Sequence, residues 1–346
     1  MSFQYRLNTL LTIFCLLIVP SQAAENRQKG VCWVGGPKPV SKKDFAPLLK
    51  NGVTHISQTP FGWQRQETSP DLHRSTSLHV WWGETDEGIR ITTHLAQADG
   101  IKVILKPHIW LTKPTPGKWR ADIQMSTEAK WHEWFENYSN FILHYARLAE
   151  ELKIELFCIG TELSGTTVSR EKDWRQLIQK VRQVYSGQLT YAANWYQEYT
   201  RINFWDELDF IGIQAYFPLS KSAHPSLEEL LKNWEPYLKE IEAISKKYQK
   251  PVIFTEIGYR SQSNAASHPW EWIRPFSGNP VSADFRLQAD LYEAFFQTFW
   301  EKPWFAGVYF WKWFPDSHRP ANGRNHDFSP QFKPAEEVLR SWFKSD

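Results

Sequence analysis

The strongest constraint on this chain is an alternation. Apolar, β-branched runs of strand length recur at residues 31–34, 53–58, 102–107, 154–159, 189–193, 210–214, 252–255 and 307–311. Between them lie segments of helical pattern at 41–50, 87–98, 128–152, 171–185, 226–247, 284–300 and 334–343, the weakest being near 197–205. The clearest is 128–152, where Trp131, Trp134, Phe135, Tyr138, Phe141, Ile142, Tyr145, Leu148 and Leu152 fall on one face at spacings of three and four. Strands covered on both faces read as continuous apolar runs, and their alternation with helices packs them as a parallel sheet under a helical layer. Eight such units predict one domain, a closed (β/α)8 TIM barrel of the α/β class, rather than an open doubly wound sheet. No G-x-G-x-x-G follows the first run, which argues against a dinucleotide fold.

The barrel is expected to occupy residues 24–346, because residues 1–23 read as a signal peptide. One basic side chain, Arg6, precedes an apolar stretch, and Ser21-Gln22-Ala23 offers small residues at the cleavage spacing. The stretch is short for a membrane span, so a secreted or periplasmic protein without a membrane anchor after cleavage is expected. Cys32 and Cys158 then remain, each in an apolar run where a cysteine packs as a small hydrophobe; whether they pair needs geometry the sequence does not hold. No Cys and His spacing forms a zinc site, so no metal or other cofactor is expected. A net charge of +2 from 40 basic and 38 acidic residues offers no stripe for nucleic acid. A monomer is expected.

In a barrel of this kind, functional groups gather at the carboxyl ends of the strands. Two exits stand out: Ile159-Gly160-Thr161-Glu162-Leu163 and Phe254-Thr255-Glu256-Ile257-Gly258. Each is an apolar run that ends in a glutamate, where a carboxylate loses water and persists chiefly if something uses it. Either glutamate alone could be half of a structural ion pair, but a matched pair suggests two carboxylates facing one site, as glycosidic bond cleavage requires. The other exits supply aromatic and hydrogen-bonding groups: Trp63 after the second run, His108 and Trp110 after the third, Asn194 after the fifth, Tyr216 after the sixth, Trp311 and Trp313 at the eighth. His108 could instead brace a loop, and Tyr216 could simply pack. The chain holds 19 Trp, 22 Phe and 13 Tyr, and Trp110, Trp119, Trp270, Trp272 and Trp313 fall amid Pro, Gly, Lys and Ser, where stacking on sugar rings explains them better than a core does.

With Gly-Thr-Glu-Leu closing the fourth run and Thr-Glu-Ile-Gly-Tyr-Arg-Ser the seventh, the chain resembles the clan A glycoside hydrolases, and in detail family 113, which contains β-mannanases. The likeness extends from Cys32-Trp33-Val34-Gly35 to Tyr309-Phe310-Trp311-Lys312-Trp313. It implies that Glu162 is the general acid/base and Glu256 the nucleophile. It further implies that Tyr216 hydrogen-bonds the nucleophile, and that Trp311 or Trp313 floors the subsite of the cleaved sugar. One position departs: where many clan members carry an Asn that holds the sugar's 2-hydroxyl, this chain has Thr161. Gluco and manno sugars differ at that hydroxyl.

The expectation is therefore a secreted, cofactor-free, retaining hydrolase of β-linked polysaccharide or oligosaccharide, in first place endo-1,4-β-mannan. The same fold acting on another β-glycan or short β-glycoside is one alternative. A non-catalytic carbohydrate-binding barrel is the other, and the two strand-exit glutamates count against it.

Overall fold

The computed structural model describes residues 27–74, 80–271, 282–315 and 326–345. The expected signal peptide and Trp272 lie outside the described residues. The strands are β1 (Gln28–Trp33), β2 (His55–Gln58), β3 (Phe61–Gln64), β4 (Leu72–Arg74), β5 (Lys102–Leu105), β6 (His108–Leu111), β7 (Leu156–Thr161), β8 (Gln188–Asn194), β9 (Ile211–Gln214), β10 (Val252–Ile257) and β11 (Phe305–Trp313). The α-helices are α1 (Ala46–Lys50), α2 (Asp86–Ala98), α3 (Glu128–Glu151), α4 (Ser164–Thr167), α5 (Glu171–Arg182), α6 (Leu227–Tyr248), α7 (Phe285–Phe299) and α8 (Pro334–Lys344). Eight strands, β1, β2, β5, β7, β8, β9, β10 and β11, close a parallel barrel in which neighbours in the chain are neighbours in space. The predicted (β/α)8 barrel is thus present, each predicted strand overlapping an observed one. The weak helical pattern after β8 forms turns and a single 3-10 turn at Trp205–Glu207.

Two cores hold the barrel. Inside it, Cys32, Ile104, Leu156, Cys158, Ala192, Ile253 and Tyr309 pack together, and both cysteines are free thiols. Gly30 is what lets Tyr309 lie across the barrel floor. A Cβ there would stand 2.5 Å from the tyrosine ring, whose hydroxyl donates to Gln28 Oε1 at 2.7 Å. Outside, the apolar faces of the helices cover the strands. Helix α3 starts where Thr127 Oγ1 accepts the Lys130 N–H at 3.2 Å. Its aromatic stripe then seats Trp134 and Tyr138 in a stack at 4.8 Å, with Tyr138 edge-on to Trp174 of α5 at 5.5 Å. The tyrosine hydroxyl reaches the strand itself and donates to Ile159 O at 2.8 Å. Helix, helix and strand are thereby fixed to one another immediately below Glu162.

A feature absent from the sequence reading is a small second sheet of β4, β3 and β6, with β3 antiparallel to β4 and parallel to β6. The chain leaves β2 and β5 through Pro60 and Pro107, whose missing N–H groups interrupt the barrel ladder, and resumes as strands in a separate layer above the rim. His108 is therefore a strand residue, held by its N–H to Pro60 O at 2.9 Å, rather than part of a loop.

Candidate active site

At the carboxyl ends of the barrel strands lies a cleft with a cavity volume of about 1380 Å³. Glu162 and Glu256 both line it, together with His108, Trp110, Trp119, Arg120, Asn194, Trp195, Tyr216, Trp270, Trp311 and Phe328. Seven of the ten predicted site residues thus share one cavity: Glu162, Glu256, His108, Trp110, Asn194, Tyr216 and Trp311. The two glutamates are 5% and 4% exposed. Two carboxyl groups with so little water persist only in a network of donors, and the network differs at each.

Glu256 is the more tightly bound. The ammonium of Lys106, 0% exposed at the end of β5, donates to Glu256 Oε1 and to Thr255 O, the latter at 3.1 Å. Tyr216 donates its hydroxyl to Glu256 Oε2 at 2.8 Å. Burial pulls the Lys106 pKa down, but the Glu256 carboxylate against it, together with the nearby Cys32 and Cys158, holds the ammonium above its usual range. Burial, then the same carboxylate, pushes the Tyr216 phenol far up, so it remains a donor. His108 is the opposite case. Burial and the cations Lys106 and Arg120 hold its pKa well below the usual value, so the ring is neutral. Its Nε2 stands 3.6 Å from Glu256 Oε1, too far for a hydrogen bond, and finds no partner among the described residues. That leaves a buried polar atom on the cleft wall that a sugar hydroxyl would satisfy.

Glu162 sits one residue beyond β7 with φ at +54°, a left-handed conformation that side chains with a Cβ rarely adopt. Strained positions of this sort concentrate where function requires a side chain to be aimed. Its N–H still donates to Ala192 O at 2.9 Å, while its side chain turns into the cleft. Asn194 Nδ2 donates to Glu162 Oε1 at 3.2 Å, and Arg120 pairs with Oε2. Burial raises the Glu162 pKa above its usual value; Arg120 opposes that and Glu256 reinforces it. One carboxylate is thus clamped by a buried ammonium and a phenol, while the other is biased towards holding a proton. A pair of acids in unlike environments is how one site assigns an acid and a nucleophile.

Three predicted positions lie elsewhere. Thr161 is buried behind the cleft, with its hydroxyl 3.5 Å from Pro107 O, and does not line the cavity. Trp63 lies on β3, outside the cleft, beside a shallow cavity lined with Arg65, His73 and Lys113. Trp313 is 1% exposed in the core between barrel and helices, not in a loop. The reason is local. β11 runs on to Trp313, and its ladder with β1 shifts register between the Val31–Phe310 and Trp33–Trp313 pairs, so the two tryptophans part. Trp311 borders the cleft; Trp313 does not. Of the tryptophans expected in loops, Trp110, which lies on β6, is 51% exposed and Trp119 and Trp270 are each 41% exposed; all three line the cleft, with Trp270 stacked on Trp195 at 5.2 Å.

Sequence reasoning passed over Lys106 and Arg120. A lysine at the end of a β-branched run was a visible signal, since a buried ammonium needs an anion. Arg120 carried no such signal: it belongs to the long connection after β6, whose path sequence does not fix.

Solved structures of similar fold are known. A GH113 β-1,4-mannanase in a complex structure is 28% identical, with 93% of this chain and 100% of that chain covered and a TM-score of 0.78. The GH113 β-mannanase AaManA from Alicyclobacillus acidocaldarius, in complex with ManMIm, is 26% identical over 92% of this chain and 97% of that one, again at 0.78. A β-D-glucuronidase of Dictyoglomus thermophilum, 16% identical over 93% of this chain and 51% of that chain with a TM-score of 0.60, shares the fold alone. Comparison with curated proteins finds no match. Residues 37–333 match Glycoside Hydrolase Family 113, and the chain belongs to that family of O-glycoside hydrolases.

Proposed function

We propose that this hydrolase is a secreted β-mannanase that cleaves β-1,4-linked mannan within the chain and retains the anomeric configuration. The observation that carries the proposal is the unlike holding of two glutamates in one cleft. The Lys106 and Tyr216 donors to Glu256 leave a carboxylate aimed for attack, and the raised pKa of Glu162 suits a proton donor. The mannanases named above support the choice of sugar. The leader-like residues 1–23 support secretion.

The reaction then runs as a double displacement. Glu256 attacks the anomeric carbon while Glu162 gives its proton to the leaving oxygen, and a glycosyl ester forms on Glu256. Glu162, now ionised beside Arg120, takes a proton from water, and the water oxygen displaces Glu256 from the opposite face, the one the leaving group vacated, so the original configuration is restored. Neutral His108 and the amide of Asn194 supply uncharged hydrogen-bonding groups at the reacting sugar. The exposed Trp110, Trp119 and Trp270 offer flat faces for sugars on either side of it.

The test is a panel of mannan, glucomannan, xylan and β-glucan, with reducing ends measured after brief digestion. Mannan is expected to be cleaved fastest, with viscosity falling before monosaccharide accumulates. Faster cleavage of xylan or β-glucan would assign the site to another β-glycan, and early release of monosaccharide alone would indicate attack from chain ends.

A further inference from the structure

A buried acid near the reacting pair takes no part in the displacement steps. Glu198 follows β8 by four residues and is 0% exposed. No salt bridge among the described residues includes it. It receives three hydrogen bonds instead: the Asn194 N–H donates to Oε2 at 2.6 Å, and the hydroxyls of Tyr191 and Thr167 each donate to Oε1 at 2.7 Å. Tyr191 and Asn194 lie on β8, the strand beside the one that leads into Glu162, and Thr167 lies on the helix that follows Glu162. Asn194 is the residue whose side chain donates to Glu162 Oε1 at 3.2 Å, and its own Oδ1 is pinned by the Tyr196 N–H at 2.7 Å. Tyr191, while donating to Glu198, accepts the N–H of Leu163 at 2.6 Å, and Leu163 directly follows Glu162. Thr167 ends α4, the short helix that begins two residues after Glu162.

We infer that Glu198 is a positioning residue for the acid/base: one carboxylate anchors the backbone of Asn194, whose side chain meets Glu162, and, through Tyr191, the backbone after Glu162 itself. The left-handed φ of Glu162 shows why an anchor is required there. A residue in that conformation relaxes unless its neighbours over-determine it. An uncharged side chain could not serve as well, because all three groups that meet Glu198 are donors and only a carboxylate accepts from all of them without offering a hydrogen in return. Burial raises the Glu198 pKa to about 7, yet the three donors favour its ionised form, as a designed acceptor requires.

The inference rests on Glu162 being the acid/base, so the test compares leaving groups. Phenyl β-mannobioside needs its leaving oxygen protonated, whereas the dinitrophenyl glycoside hardly does. In Glu198→Gln, kcat/KM on the phenyl substrate is expected to fall about tenfold, the low end of the loss seen when residues supporting a metal ligand are replaced. The dinitrophenyl substrate is expected to lose far less. Glu198→Leu, which leaves three donors unpaired, should widen that gap. Should either variant fail to fold, Tyr191→Phe removes the acceptor of the Leu163 N–H and reads the same gap. Equal losses on both substrates would overturn the inference and make Glu198 a structural residue. Glu162→Ala is run beside it: if that variant discriminates between leaving groups and the Glu198 variants do not, the positioning role alone fails. If Glu162→Ala does not discriminate either, the acid/base assignment itself is wrong.

Discussion

Glu256→Ala is expected to abolish turnover, with kcat falling by on the order of 10⁴-fold or more, as when a nucleophile that acts within a unit is removed. The loss should be alike for polysaccharide and for dinitrophenyl glycosides, because without the attacking carboxylate no leaving group is good enough to form the glycosyl ester. Azide is expected to give no product of retained configuration, since an anion entering the vacated space attacks from the face opposite the leaving group. The variant should also lose stability. Lys106 is fully buried against Glu256, and removal of one partner of a buried pair costs about 3–5 kcal/mol because the other charge is left uncompensated. Thermal unfolding followed by circular dichroism should therefore show a lower melting temperature, and Lys106→Met in the same background should recover part of it. A Glu256→Ala protein as stable as the parent would mean that the Lys106 pair does not form.

Glu162→Ala has the second largest effect, and a different signature. On substrates with poor leaving groups kcat/KM should fall by about 10²–10⁴, the range attributed to general acid–base catalysis. Dinitrophenyl glycosides should still form the glycosyl ester, which then accumulates because no base activates water. Azide needs no base, so it should release that ester as the β-glycosyl azide. The pH dependence follows from the raised pKa of Glu162. The acid works while protonated, so kcat/KM in the parent falls as pH rises through that raised value. In Glu162→Ala this alkaline limb should vanish, while the acidic limb remains. If the alkaline limb persisted unchanged, the titrating acid would be another group.

The barrel was legible because strand burial leaves a coarse mark. Runs such as 154–159 and 252–255 are apolar without alternation, which only a strand covered on both faces tolerates. Glu162 and Glu256 were legible for the same reason, being acids at the tip of such runs. The small sheet was hidden because Phe61–Gln64 and His108–Leu111 are four-residue strands next to prolines, which read as loop. Trp313 was misplaced since a register shift between strands depends on the partner strand, not on the segment itself. Thr161 fell behind the cleft, while Asn194 on the adjacent strand, named from the sequence, donates its amide to Glu162. Glu198 lay in a stretch with weak helical pattern, and nothing local distinguishes an acid in a turn on the surface from one folded under a strand.

The central claim is that two glutamates act in turn on one anomeric carbon. Proton NMR of the first product released from β-1,4-mannotetraose, recorded before mutarotation, tests it most directly. The account predicts that the new reducing end appears as the β anomer and converts to α only later. An α anomer at the earliest time would mean a single displacement by water, and Glu256 would then be a base and not a nucleophile.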